Sequence, residues 1–509
     1  MAASAAQLGG RRLHSTPEWL EQLAALLAWP WILALPAGLA LVLRIAIGAH
    51  PIDDAYITFR YARNVAGGLG LVYSQGESVL GTTAPLWALF LGTLHWLSGL
   101  AIPEIATTTS ALADAASAIV LARLVFGLTR ATCLALLAAA TLALAPASIE
   151  FATGGMETSV FTLLLLLGLL WRDRRRVWPL VVAAATLVRP EAAILAACLL
   201  LTDRRAALRS GLLYLAALLP WIAYALAIYG SPIPHSMIAK SSSVYRNEPM
   251  MPVLVVLLAW LAIAPGLPLA GALVPIGLLR RGLARRVHVL WLFPGAFLAF
   301  HVIAAARVSS HFGWYLVPLL PWLILLALLG CATPWQSAGA RTAGLAAALT
   351  ALCLLGGNLL AWNLGQDPRL PLAWQRPPVP GVSGGREDGY REAAAYLSTI
   401  ARDGATVAAP EIGAVGWEAS RLRILDTVGL VSPAALRYYP LPTREAYGLN
   451  NAVPAELLRR ERPDYILSLE VFLRPVLRDE PSALDGYVLE RSWPSDAFGS
   501  RGLLLYRRG

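Results

Sequence analysis

The sequence predicts a mainly α, polytopic membrane protein with a small α/β domain after its last span. Three observations predict it. Of 509 residues, 57% are hydrophobic and only 14% charged, and mean hydropathy is +0.60, an apolar excess a soluble chain does not carry. Long apolar runs recur from residue 26 to residue 364, punctuated by arginine clusters. From about residue 380 the runs stop, and charge, Gly and Pro rise. The net charge of +10 then reads as cytoplasmic loops and not as a nucleic-acid surface. Cys133, Cys198, Cys331 and Cys353 all lie in apolar runs without metal-site spacing, as small core residues do.

Residues 1–25 carry Arg11 and Arg12 and are expected in the cytoplasm, ahead of a retained first span at 26–49. The chain leaves the membrane at Pro51-Ile52-Asp53-Asp54, opening a first external loop, 50–103. Two carboxylates at the start of a short amphipathic helix sit well with its dipole. At helical spacing Tyr56, Phe59, Arg60 and Arg63 share one side of that helix, and Ile57 and Tyr61 lie on another. The apolar stretch 84–99 is short for a span, which needs roughly 20 residues, and suits an interfacial helix.

Further spans are expected at 104–127, 131–148 and 158–171, the last ending at Arg172-Asp173-Arg174-Arg175-Arg176, the strongest cytoplasmic marker. Two short passes follow, turning at Val188-Arg189-Pro190-Glu191 before Arg204 and Arg205. Runs at 210–229, 252–279, 287–305, 313–331 and 343–364 complete about eleven crossings, at roughly 20 residues per span. The transmembrane domain is thus 26–364 and an extracytoplasmic α/β domain 365–509. In the latter, helices are expected at 386–402 and 454–461, and strands at 406–409, 423–427, 464–469, 487–490 and 503–506.

Sorted by side, Asp53, Asp54, Arg60, Glu157, Arg189, Glu191, His235, Lys240, Arg307 and His311 fall on the external face. Carboxylates there can take a proton from an attacking hydroxyl, and cations can hold a departing phosphate. That is the chemistry of glycosyl transfer from a lipid-phosphate sugar. The donor's tail also explains a membrane-embedded enzyme. Its rival is a transporter or flippase of lipid-linked sugars, a class that commonly shows paired repeats; no internal repeat is evident here.

Asp53-Asp54-Ala55-Tyr56-Ile57-Thr58-Phe59-Arg60-Tyr61-Ala62-Arg63-Asn64, Gly68-Leu69-Gly70-Leu71-Val72-Tyr73 and Gly81-Thr82-Thr83-Ala84-Pro85-Leu86-Trp87 resemble the first external loop of bacterial GT-C membrane glycosyltransferases. They are most similar to the group with actinobacterial arabinofuranosyltransferases of cell-wall synthesis. Gly154-Gly155-Met156-Glu157-Thr158, Arg189-Pro190-Glu191, Pro232 to Lys240, Glu411-Ile412-Gly413 and Asp426-Thr427-Val428-Gly429-Leu430 extend the resemblance in islands along the chain. It implies a GT-C fold in a bacterial plasma membrane. It also implies a polyprenyl-phosphate donor carrying arabinofuranose or another pentose or hexose, a glycan or lipid-linked acceptor, and a first-loop acid as base. On that footing Asp53 or Asp54 is the expected base, and Lys240, Arg189, Arg307 and His311 are expected phosphate ligands. Tyr56, Arg60, Glu157, Glu191 and His235 are expected substrate contacts. By donor type the acid pair suits Mg²⁺ or Mn²⁺, but two adjacent acids alone do not establish an ion. Ser74-Gln75 and Leu80-Gly81-Thr82-Thr83 depart from the group's common pattern.

Overall fold

The computed structural model describes residues 32, 35–241, 288–305, 313–335, 340–364, 385–441 and 452–509. The expected span at 252–279 lies outside them, as do Arg307 and His311. The described chain is mainly helical, with one small sheet near its C-terminal end.

The helical part begins with α1 (Leu35–Ile47). It continues through α2 (Asp53–Ala66), α3 (Pro85–Ser98), α4 (Ile102–Thr129), α5 (Thr132–Ala143), α6 (Pro146–Thr153) and α7 (Thr158–Leu170). After these come α8 (Trp178–Val188), α9 (Ala192–Thr202), α10 (Ala207–Tyr229), α11 (His235–Ser241), α12 (His288–Ala305), α13 (Leu320–Trp335) and α14 (Ala340–Leu364). Among the described residues α4 and α10 are each long and apolar enough to cross a membrane, and α5 with α6, bent by 52°, forms a third candidate. The other apolar helices are shorter. At 1.5 Å per residue α8 and α9 reach only about 17 Å each, against roughly 30 Å of hydrocarbon. The 14 residues of α3 also fall short.

The run expected to be one span at 131–148 is two helices. Pro146 has no N–H to give α5 and drives Ala145 out of the helical region, to φ −69°, ψ 117°. On α10 the apolar faces point outward: Leu208, Leu212, Leu215, Leu219 and Leu226 are all exposed. An exposed apolar face on a helix of this length suits a lipid neighbour. Within the bundle, the buried Arg44 of α1 ion-pairs with the buried Asp114 of α4. Ser148 donates to the same carboxylate at 2.6 Å, and Arg44 donates to Ala143 O at 2.6 Å, a carbonyl left open where α5 ends.

The C-terminal part comprises α15 (Arg386–Ile400), β1 (Thr406–Ala409), α16 (Gly413–Glu418), β2 (Arg423–Asp426), α17 (Ala455–Glu461), β3 (Tyr465–Leu469), α18 (Glu470–Asp479), β4 (Tyr487–Trp493) and β5 (Leu503–Arg508). The strands lie in the order β2-β1-β3-β5-β4. The first three are parallel, and β5 and β4 are antiparallel to their neighbours. All five expected strands are present, β4 running three residues further than expected. Side-chain alternation divides the faces. Ala408 and Ile466 pack with α17 and α18. Val407, Ala409, Leu467 and Leu469 join a core that also holds Tyr56, Phe59, Tyr61, Trp87 and Leu91 of α2 and α3. The C-terminal domain and the first-loop helices therefore share one apolar core.

Candidate active site

The chain enters α2 along the end of α6, with His50 N donating to Thr153 O at 3.0 Å and Ile52 N to Gly154 O at 3.2 Å. Gly155 turns the chain there at φ +75°, and a Cβ on it would lie 2.8 Å from Phe59 Cζ. Only glycine lets this turn pass so close to α2, and it delivers Glu157 beside the first turn of that helix. A small open cleft lies here. Its walls include Asp54 and Thr58 of α2, Thr82, Thr83, Glu157, Arg189, Lys240, Tyr315 and Leu430.

Arg189 sits at the break between α8 and α9, extended at φ −152°, ψ 127° ahead of Pro190. Its buried guanidinium donates to Glu191 Oε1 at 3.1 Å and lies 3.6 Å from Glu157 Oε1. It also lies over the Tyr315 ring, 4.8 Å from the centroid. Two carboxylates thus compensate one cation, as a buried charge requires. Lys240, on α11, donates to Tyr315 Oη at 3.2 Å. Among the described residues it makes no ion pair, so its charge faces the cleft uncompensated by contact.

The two adjacent acids part company. Asp54 lines the cleft. Asp53 is buried on the opposite side, where its Oδ2 and Oδ1 accept from the N–H groups of Gly413 at 3.1 Å and Ala414 at 2.8 Å. Burial, reinforced by the Glu411 carboxylate, pushes Asp53 up from 3.8 to about 7, against the opposing pull of Arg386. Glu411 is itself paired with Arg386 at 2.9 Å.

Tyr56 and Arg60, expected to touch substrate, do not line the cleft. Tyr56 lies 6.1 Å from Trp417, ring to ring, and Arg60 donates to Tyr73 O at 2.8 Å and Gly416 O at 2.9 Å. Their side of α2 is claimed by the C-terminal domain. Glu191 meets the cleft only through Arg189. His235 is half-buried behind it, its backbone N–H donating to Leu80 O at 2.7 Å. Sequence reasoning did not single out Tyr315, Ser236, Trp314 or Leu430 as site residues. Tyr315 belongs to a 3₁₀ turn, Gly313–Tyr315, that the hydropathy of 313–331 conceals as part of a span.

Among the described residues the donor set does not supply three side-chain ligands for a metal: no three His, Cys, Asp or Glu residues come together. Glu157 already faces Arg189, and Asp53 is turned away.

With this geometry in hand, the comparisons with solved structures are informative. An oligosaccharyltransferase from Archaeoglobus fulgidus, crystallised with Zn and sulfate, superposes with a TM-score of 0.58 at 12% identity, over 94% of this chain and 73% of that one. The archaeal oligosaccharyltransferase AglB of the same organism, with an inhibitory peptide and a dolichol-phosphate, gives 0.56 at 10% identity, over 95% and 74%. ArnT from Cupriavidus metallidurans, bound to undecaprenyl phosphate, gives 0.55 at 12% identity, over 94% and 98%. The fold is GT-C. At these identities the likeness concerns architecture alone. By sequence, residues 381–506 match a family described as a domain of unknown function (DUF8728). No curated protein matches the sequence.

Proposed function

We propose that this protein is a membrane glycosyltransferase of the GT-C superfamily that uses a polyprenyl-phosphate sugar, with Asp54 as general base. One observation carries the reading: an acid, a cation that makes no ion pair among the described residues and a compensated Glu157–Arg189–Glu191 group converge on a single cleft. The likeness to two kinds of protein solved with dolichol-phosphate or undecaprenyl phosphate supports a lipid-phosphate donor.

In the proposed step an acceptor hydroxyl gives its proton to the Asp54 carboxylate and its oxygen attacks the anomeric carbon. The bond from that carbon to the phosphate oxygen breaks, and the phosphate leaves with the electron pair. A single displacement inverts the anomeric centre. Lys240 meets the charge that develops on the leaving phosphate, where a preformed cation stabilises most. Arg189, already shared between Glu157 and Glu191, holds the shape of the cleft and contributes less charge. The cleft end of α7–α10 is opposite the end bearing Arg172, Arg174, Arg175, Arg204 and Arg205, so by charge bias the cleft opens to the extracytoplasmic side of the plasma membrane. The C-terminal domain stands on that side and faces the acceptor, a cell-envelope glycan or lipid-linked sugar.

The test is turnover of synthetic polyprenyl-phosphate pentoses and hexoses, arabinofuranose first, by purified protein in lipid. Asp54→Asn is expected to abolish transfer by at least a hundredfold. Undiminished transfer by that variant would remove Asp54 from the mechanism.

A further inference from the structure

The helix that carries Asp54 is gripped from behind by the C-terminal domain, and the grip falls on both ends of one short helix. At the start of α16, the amides of Gly413 and Ala414 donate to Asp53. At its other end, Arg60 Nη1 donates to Gly416 O at 2.9 Å and Arg63 Nη1 to Trp417 O at 2.7 Å. The Arg63 guanidinium lies 3.4 Å from the Trp417 ring centroid. Tyr73 Oη donates to Ile412 O at 2.6 Å. Terminal amides and carbonyls are the groups that a helix leaves without internal partners. Here α2 and its loop supply acceptors to the amides at the start of α16 and donors to carbonyls at both of its ends. The approach is so close that a Cβ on Gly413 would lie 1.7 Å from Asp53 O.

The first turn of α2 has no side-chain cap of its own: the N-cap, Ile52, makes no side-chain hydrogen bond to it, although a helix end needs such partners. The first turn therefore depends on its surroundings to stay wound. Successive residues of a helix point about 100° apart, as 3.6 residues per turn require. Once Asp53 is fixed on α16, Asp54 has no freedom left but to face the neighbouring direction, which is the cleft.

We infer that Asp53 is a positioning residue: by fastening α16 to the first turn of α2, its carboxylate aims Asp54 into the cleft, so that docking of the C-terminal domain is part of the catalytic apparatus. The inference rests on the reading of Asp54 as the base. The full chain in nanodiscs serves for both arms of the test. Hydrogen exchange followed by mass spectrometry reads the docking without any substrate, and transfer from the best synthetic polyprenyl-phosphate sugar reads the aim. In the wild type the Gly413 and Ala414 amides should exchange as slowly as those of β1; exchange at the rate of an exposed loop overturns the latch without recourse to a variant. Asp53→Ala should speed exchange in segment 411–418 at least tenfold and lower kcat tenfold or more, with donor KM within about threefold. Faster exchange with wild-type kcat would show that docking does not aim the base. Full activity in Asp54→Asn would instead remove the base itself, and the exchange arm would still show whether the latch exists.

Discussion

Gly413→Ala puts a methyl group where backbone already stands. Its Cβ would lie 1.7 Å from Asp53 O, 2.5 Å from the carbonyl carbon and 2.8 Å from Asp53 Cγ. Carbon atoms rest at about 3.5–4.0 Å, so α16 has to retreat by about 2 Å. That retreat stretches the amide contacts with Asp53 from 2.8 and 3.1 Å far beyond hydrogen-bond range. Overpacking of this kind costs about 1–3 kcal/mol, and leaving a buried carboxyl group short of its donors costs about 1–3 kcal/mol more. A total of about 2–6 kcal/mol is expected from these two terms, read as lower thermal stability of the purified protein and faster tryptic release of the C-terminal domain. Gly389→Ala is the control: nothing lies within 4 Å of its Cβ on α15, and helix propensity predicts up to about 1 kcal/mol of stabilisation. Gly416→Ala should fall between them, because its Cβ meets the tip of the Tyr73 side chain at 1.9 Å and not backbone. A Gly413→Ala protein that melts and resists trypsin like the wild type would refute the docked geometry.

Three other outcomes follow from the same coordinates. Asp53 holds its proton up to about pH 7 in the folded protein and loses it near 3.8 when unfolded; stability should therefore fall as pH rises between those values, by on the order of 4 kcal/mol, and level off above. Melting curves from pH 4.5 to 8 should show Asp53→Asn removing that share of the slope, and an unchanged slope would count against it. Asp114→Leu leaves the buried Arg44 without its partner and should cost about 3–5 kcal/mol, whereas the double change with Arg44→Met should recover most of the loss; a double-mutant cycle in detergent melts with no coupling would contradict the pair. Lys240→Met should raise donor KM or lower kcat by about 10–100-fold in total, the worth of one charge-assisted contact, and steady-state kinetics with unaltered kcat/KM would free Lys240 of any role.

Much of this protein is written locally and can be read locally. Burial in lipid or in a strand core depends on runs of a few residues, so the apolar segments, the change of composition near residue 380 and all five strands of the sheet are visible in composition and alternation. The break at Pro146 obeys a local rule as well, although hydropathy alone passes over it. Asp53 and Asp54 are different. As neighbours of the same type they are equivalent in any reading of the sequence, and helix geometry says only that they diverge. Which of them meets the cleft is decided by the amides of Gly413 and Ala414, about 360 residues further along the chain. Likewise Arg60 and Tyr56 had the character of substrate ligands until the C-terminal domain occupied their face, and the partnership of Glu157, Arg189 and Glu191 exists only because Gly155 and Pro190 bring two separate turns together. Hydrophobic pattern specifies which segments are buried; the direction in which a charged side chain points is set by whichever distant backbone group satisfies it.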